Sequence, residues 1–287
     1  MTNSSLRDDF AKPPSFEHLE QADYLSLDQQ QLYYVLHPTG LPLRARVLLA
    51  GPFASERPHR YITWVRWARY LASHGFEVMR FDYRGVGEST GRFEDFGFCT
   101  WSNDLRHCAD WFQQRSPATP LIIHGLGMGA LLGESLFAQG IANVLLTWLP
   151  PKTAREMLYD QLKIKMANNF ILPASERKTR DQFVADLERG ETVEVEGHNW
   201  TPDLWSESKK FGLAENSIIN PHVKTKQISL DGKLDALAVH TLGGVGPNPM
   251  RSAGGGPSMR LVNPDLTACF EVTCGQLKHA LIALGGN

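Results

Sequence analysis

The sequence predicts an α/β fold: a mainly parallel sheet covered on both faces by helices, with a helical cap inserted into it. Three observations predict it. Short apolar runs at 46–50, 77–81, 121–124 and 144–148 alternate with amphipathic stretches; Gly-containing turns follow several of these runs; and from 152 a charged, helix-rich stretch breaks the alternation. Short buried strands separated by amphipathic helices require helices on both sheet faces.

Taken in order, residues 24–27 and 32–36 form two half-buried strands around a Gln-rich turn, an antiparallel hairpin entering the sheet. Residues 46–50 make a short strand that stops at Gly51-Pro52. Ile62, Val65, Trp67, Ala68 and Leu71 recur at helical spacing over 61–74, and Gly75 supplies a C-cap before the strand at 77–81. Helices at 101–114 and 128–139 then alternate with the strands at 121–124 and 144–148. Helices at 154–169 and 176–188, followed by polar Trp-containing segments to about 220, form the cap. The sheet resumes at 226–230 and 259–262, and a helix at 275–284 closes the chain. The Gly- and Pro-rich stretch 243–257 reads as a flexible loop and lacks the pattern of a phosphate cradle. The expected division is a polar leader at 1–20, a first core part at 21–151, the cap at 152–220 and a second core part at 221–287.

Composition narrows the function. The charges nearly balance, 29 Lys and Arg against 31 Asp and Glu in 287 residues, so nothing favours nucleic acid or an anionic membrane as a partner. No apolar run reaches the ~20 residues of a membrane span, and the N-terminal residues are polar, which gives the expectation of a cytoplasmic protein. The four cysteines have neither zinc-site companions nor a C-x-x-C arrangement; they read as reduced structural thiols, with no metal and no cofactor expected.

The chemistry concentrates at Leu121-Ile122-Ile123-His124-Gly125-Leu126-Gly127-Met128-Gly129-Ala130, a buried strand passing through a tight turn into a helix. That is the setting of a G-x-S-x-G nucleophile elbow, whose central residue sits in a strained conformation. Here the centre is Gly127. Alone, G-x-G-x-G could pass for a dinucleotide turn. Upstream, however, Asp82-Tyr83-Arg84-Gly85-Val86-Gly87-Glu88-Ser89-Thr90-Gly91 follows a strand, and downstream Asp231-Gly232-Lys233-Leu234-Asp235 follows another.

These segments, in this order, resemble the D-x-R-G-x-G-x-S-x-G signature, the elbow and the acid-bearing G-x-x-D of the α/β-hydrolase superfamily, over residues 46–235. More narrowly, Gly51-Pro52-Phe53-Ala54 with Glu56-Arg57, and Leu145-Leu146-Thr147-Trp148-Leu149-Pro150, resemble the exosortase-A-system-associated hydrolases of type 2. The resemblance implies an oxyanion hole from backbone N–H groups near Phe53 and at Met128, and it matches Asp235 to the triad acid, with Asp231 as its neighbour. Either aspartate reads equally well as a turn residue. Two roles are vacant: Gly127 has no side chain to attack, and 262–268 contains no histidine for a general base.

Of the ten histidines, His124 lies three residues before the elbow centre and is a candidate for the site, against its reading as a buried structural histidine; His240 and His279 are weaker candidates. Met157, Leu158, Leu162, Ile164 and Met166 read as a cap helix packing on the sheet or as a lining for an acyl chain. Ser89 reads as a turn residue. Three functions remain open. One is an enzyme acting on an ester, thioester or related acyl substrate through an unconventional site, within exopolysaccharide or envelope export. A second is an inert relative that binds an acyl or lipid-like ligand or a protein partner. The third is a chain in which Gly127 replaces a natural serine, a reading the missing terminal histidine disfavours.

Overall fold

The computed structural model describes residues 14–27, 29–171, 173–213, 224–230, 233–241 and 264–285; of these, 168, 170, 224–230, 233–241 and 264–268 are described by backbone alone. The expected leader up to 13, Asp231, the whole Gly- and Pro-rich stretch 243–257, the strand expected at 259–262 and the segment after it to 263 lie outside the described residues.

The hairpin of β1 (Gln21–Leu27) and β2 (Gln30–His37) forms one edge of an eight-stranded sheet. The remaining strands are β3 (Ala45–Ala50), β4 (Phe76–Phe81), β5 (Leu121–Leu126), β6 (Val144–Trp148), β9 (Lys224–Leu230) and β10 (Lys233–Thr241), and the order across the sheet is β1-β2-β4-β3-β5-β6-β10-β9. From β4 to β10 every neighbouring pair is parallel; the antiparallel pairs sit at the two edges. Parallel neighbours need crossovers, which α1 (Arg57–Ala72), α2 (Phe98–Gln114) and α3 (Met128–Phe137) supply. This is the α/β-hydrolase fold.

Alternation along the central strands sorts the core into two layers. Leu48, Ala50, Ile123 and Leu145 meet α2 and α3 on one face, whereas Val47, Leu49, Ile122 and Leu146 meet α1 and α7 (Pro264–Ala283) on the other. Both faces are covered, so β3 and β5 are buried at every position.

Between β6 and β9 the chain leaves the sheet. α4 (Ala154–Asn168), α5 (Arg180–Glu188), the two-stranded ribbon of β7 (Val193–Val195) and β8 (His198–Trp200), and α6 (Pro202–Glu207) form a unit outside the main sheet. Thr153, Thr179 and Thr201 cap its helices, each accepting a backbone N–H from the first turn. Met157, Leu158 and Leu162 of α4 are buried in the core layer of α2 and α3, while Ile164 is exposed, so this helix packs rather than lining an open chamber.

Some elements differ from expectation. α1 begins at Arg57 instead of 61, because Pro58 fits the first turn, where no backbone donor is needed. β10 runs through 233–241, where the sequence suggests an acid-bearing loop. α7 starts at Pro264, well before the expected 275, and carries Gly275 in its interior. None of the described helices is long and apolar enough to cross a membrane.

Candidate active site

The elbow between β5 and α3 is built by its glycines. Gly127 has φ 57 and ψ −117, a conformation L side chains rarely adopt, and its N–H donates to the Trp148 carbonyl at 3.0 Å. A Cβ on Gly125 would overlap the Ala130 backbone, and one on Gly129 would overlap the carbonyl oxygen of Ala50. These two positions therefore hold the first turn of α3 against the ends of β5 and β3.

That close approach sets Met128, the first residue of α3, beside the Gly51-Pro52-Phe53 segment leaving β3. Among the described residues, neither the Phe53 N–H nor the Met128 N–H donates a hydrogen bond. Phe53 itself is fully buried, its ring packed against Phe93, Phe98, Trp101 and Trp200 at 5.8–6.4 Å between centroids. Its backbone is thereby fixed from below, while Trp200 brings the cap ribbon against it.

The residue that sequence reasoning did not single out for a role is Glu56. It precedes α1, and its Oε2 lies 3.1 Å from where a Cβ on Gly127 would stand, with Pro52 Cβ at 3.9 Å. The carboxylate thus borders the space that a nucleophile's side chain would fill. Burial pushes its pKa up, against the pull of Arg60 and His59, and the like charge of Glu196 raises it further. Glu196 sits at the tip of the β7–β8 ribbon with φ 49, so the cap approaches the site from above. Ser55 beside Glu56 donates to Gln161 Oε1 of α4 at 3.3 Å, a second tie between cap and elbow.

His124 turns away from this site. Its ring is fully buried on the α1 side of the sheet, with Trp64, Trp67 and Trp148 at 4.6–5.7 Å. The Trp67 indole N–H donates to His124 Nδ1 at 2.8 Å, which leaves the ring proton on Nε2, and that atom has no partner. Burial drives its pKa well below the usual histidine value. A neutral imidazole enclosed by indoles serves the core, so His124 is not placed to act as a base at Gly127.

Asp235 is likewise not brought to the elbow. It lies two residues before Leu237, which pairs with Val144, the first residue of β6, whereas Leu126 at the elbow pairs with Trp148, the last. At ~3.3 Å per strand residue, Asp235 is about 23 Å from Gly127 along the strand direction, towards the opposite end of the strands. The likeness to G-x-x-D is local in sequence: the same residues enter the strand instead of leaving it. His279 lies exposed on α7, and only the backbone of His240 is described.

The signature loop after β4 has a structural role. Asp82 pairs with Arg57 through two bonds, Nε to Oδ1 at 3.0 Å and Nη2 to Oδ2 at 2.7 Å. Ser89 donates to the Asp82 carbonyl at 2.6 Å and accepts the Tyr33 N–H at 2.8 Å, tying the loop to β2. Arg84 pairs with the fully buried Asp104 of α2 at 2.7 Å. Among the described residues there is no cluster of His, Cys, Asp and Glu able to hold a metal ion.

Part of the chain is similar to known proteins. Residues 59–143 match the family model described as serine aminopeptidase, S33, and these residues contain the elbow and the loop after β4. Lysophosphatidylserine lipase ABHD12 of Xenopus tropicalis is 39% identical over 72 residues, 25% of this chain and 18% of that protein; the chicken (Gallus gallus) counterpart is 35% identical over 68 residues, 24% and 17%. These matches span less than a fifth of the relatives' length. Among solved structures, XC6422 of Xanthomonas campestris, an α/β serine hydrolase without lid, is 24% identical with a TM-score of 0.42, covering 48% of this chain and 65% of that one. A soluble variant of the Saccharomyces cerevisiae monoglyceride lipase, solved with a substrate analogue, is 22% identical with a TM-score of 0.42, covering 52% of each chain.

Proposed function

We propose that this α/β-hydrolase-fold protein acts on an ester, thioester or related acyl substrate through a site in which a carboxylate stands in for the missing serine. The observation that carries the proposal is the Glu56 carboxylate, 3.1 Å from the Cβ position of Gly127 and close to two uncommitted backbone donors. The substrate carbonyl would sit where a serine's acyl group sits, its oxygen facing the N–H groups of Phe53 and Met128. Glu56 would take a proton from a water molecule as the water oxygen bonds to the carbonyl carbon. The resulting oxyanion would be held by the two N–H groups. As the carbon–oxygen or carbon–sulfur bond breaks, Glu56 returns the proton to the leaving alcohol or thiol, and ester plus water becomes acid plus alcohol.

A pKa raised by burial suits this role, because a carboxylate tuned upward is a stronger base once ionised. Without a covalent acyl-enzyme, turnover is expected to be slow: a hydrolase site deprived of a triad member retains about 10³-fold over water. From the sequence resemblance we propose exopolysaccharide or envelope export as the process served, and the cytoplasm as the compartment.

The test is hydrolysis of a short- and a medium-chain acyl ester by the wild type and by Glu56→Gln, with binding of the same esters followed in parallel. Turnover above buffer that disappears in Glu56→Gln, with binding kept, is the expected result. Turnover equal in both proteins would refute the role of Glu56. The second reading, an inert relative that binds an acyl ligand or a protein partner, is favoured by the burial of His124 away from the elbow. Binding without turnover in the wild type would select it.

A further inference from the structure

Next to the elbow, the first turns of α1, the end of β4 and the loop after β3 border a small cavity that opens to solvent. Gly51 and Pro52 form the wall it shares with the elbow; Arg57, Arg60 and Arg80 bring three guanidinium groups to its lining, with Tyr61, Trp64 and Asp82. The acid present is already engaged: Asp82 holds Arg57 in the two-bonded pair and also accepts the Glu88 N–H at 3.0 Å.

Arg80 is held differently. Its Nε donates to His37 Nε2 at 3.1 Å and its Nη1 to the Tyr61 hydroxyl at 3.1 Å, while its guanidinium lies 5.2 Å from the centre of the Tyr61 ring. His37 donates its Nδ1–H to Glu20 Oε1 at 3.0 Å, and Glu20 accepts in turn from Arg69. Burial lowers the His37 pKa to about 4, so the ring is neutral near neutral pH. Among the described residues Arg80 forms no ion pair; it is oriented by two neutral groups and its charge is left for the cavity. Arg60 draws on Glu56 electrostatically, which links the cavity to the elbow. The N-terminal turn of α1 adds the positive end of its dipole.

We infer that this cavity is a subsite for a phosphate group carried by the acyl ligand, with Arg80 as its principal anchor and Arg60 beside it. The inference rests on the acyl-ligand reading above and assigns the ligand a class: an acyl chain or ester whose polar end bears a phosphate. Guanidinium groups pair with phosphate oxygens through two parallel bonds, and an Arg held by neutral partners gives up no existing ion pair to do so. The shared wall at Pro52 puts the phosphate next to the carbonyl site.

The test uses the full-length protein and three probes: a medium-chain 1-acylglycerol 3-phosphate, the matched uncharged 1-acylglycerol, and inorganic phosphate, each titrated by calorimetry at low salt. The phosphate-bearing acylglycerol is expected to bind about 10-fold more tightly than the uncharged one. That advantage disappears in Arg80→Gln, persists in part in Arg80→Lys and shrinks in Arg60→Gln, with the thermal midpoint of each variant confirming that it is folded. Uncharged acylglycerol binds all four proteins alike. Equal binding of the two acylglycerols by the wild type, or an advantage that survives in Arg80→Gln, overturns the subsite while leaving the acyl reading standing. Inorganic phosphate bound by the wild type and lost in Arg80→Gln, with no acylglycerol bound, keeps the anion site and removes the acyl reading. No binding of any probe removes both.

Discussion

Replacing Gly127 by alanine tests whether the elbow conformation is held without a nucleophile. At φ 57 and ψ −117 an L side chain is strained by about 1–3 kcal/mol. The new methyl would also meet Glu56 Oε2 at 3.1 Å, a tight contact with the free end of a flexible chain that yields by swinging. Strain therefore dominates, and Gly127→Ala is expected to lose about 2 kcal/mol. Gly127→Ser carries the same strain, but its hydroxyl points at the Glu56 carboxylate, and a hydrogen bond to a charged group contributes about 1.5–3 kcal/mol. Serine should therefore be more stable than alanine by at least about 1 kcal/mol. Urea unfolding of the wild type and both variants reads the difference as a shift in midpoint. An alanine variant as stable as wild type would mean the backbone is not locked at positive φ. Equal stability of alanine and serine would mean that Glu56 does not face the elbow. Serine hydrolase activity is not expected from Gly127→Ser, since residues 262–268, where the resemblance would place the triad's histidine, contain none.

Other expectations follow from the packing and the charges. Gly129→Ala would drive a methyl into the Ala50 carbonyl, a backbone atom that cannot yield, so it should destabilise more than Gly127→Ala in the same urea series. Asp104→Ala would leave the half-buried Arg84 without its carboxylate partner, at a cost of about 3 kcal/mol, measured as a fall in thermal midpoint. The folded-state pKa of His37 is depressed to about 4 from the ordinary 6.5, so its neutral burial stabilises fully above 6.5 and is lost as pH falls towards 4. The loss amounts to about 3 kcal/mol, and His37→Gln should flatten thermal midpoint against pH across that window. The His124 ring, its pKa driven far down by burial, should show no titration by NMR between about pH 8 and pH 5; a midpoint in that range would place it in contact with water.

The sheet was legible because its strands are apolar on both faces. Residues 46–50, 77–81, 121–124 and 144–148 all lie within strands, and the Gly-x-Gly-x-Gly turn stands between β5 and α3 as its pattern suggested. The elbow was legible because glycine backbone builds it. Glu56 was visible as a residue of the loop before α1, but its contact with Gly127 crosses 71 positions, and nothing local in a single sequence shows such a meeting. Its one sequence signal is an acid at the end of a Gly-Pro-Phe turn that faces an elbow with no side chain. Asp235 misled for the converse reason: a loop motif was recognised by its letters, while alternation in Leu234, Ala236 and Ala238 was already consistent with a strand. His124 was ambiguous because a strand's end is near a site on one face and inside the core on the other; only the register decides which.

The aromatic box around His124 also gives the protein an optical reporter. Trp64, Trp67 and Trp148 stand 5.0–6.0 Å apart where paired, close enough for their excited states to couple, and Trp64 also lines the arginine cavity. One indole thus belongs to both a sealed cluster and an open chamber. Its emission and the near-ultraviolet dichroism of the cluster should respond to whatever enters that chamber, without any label attached.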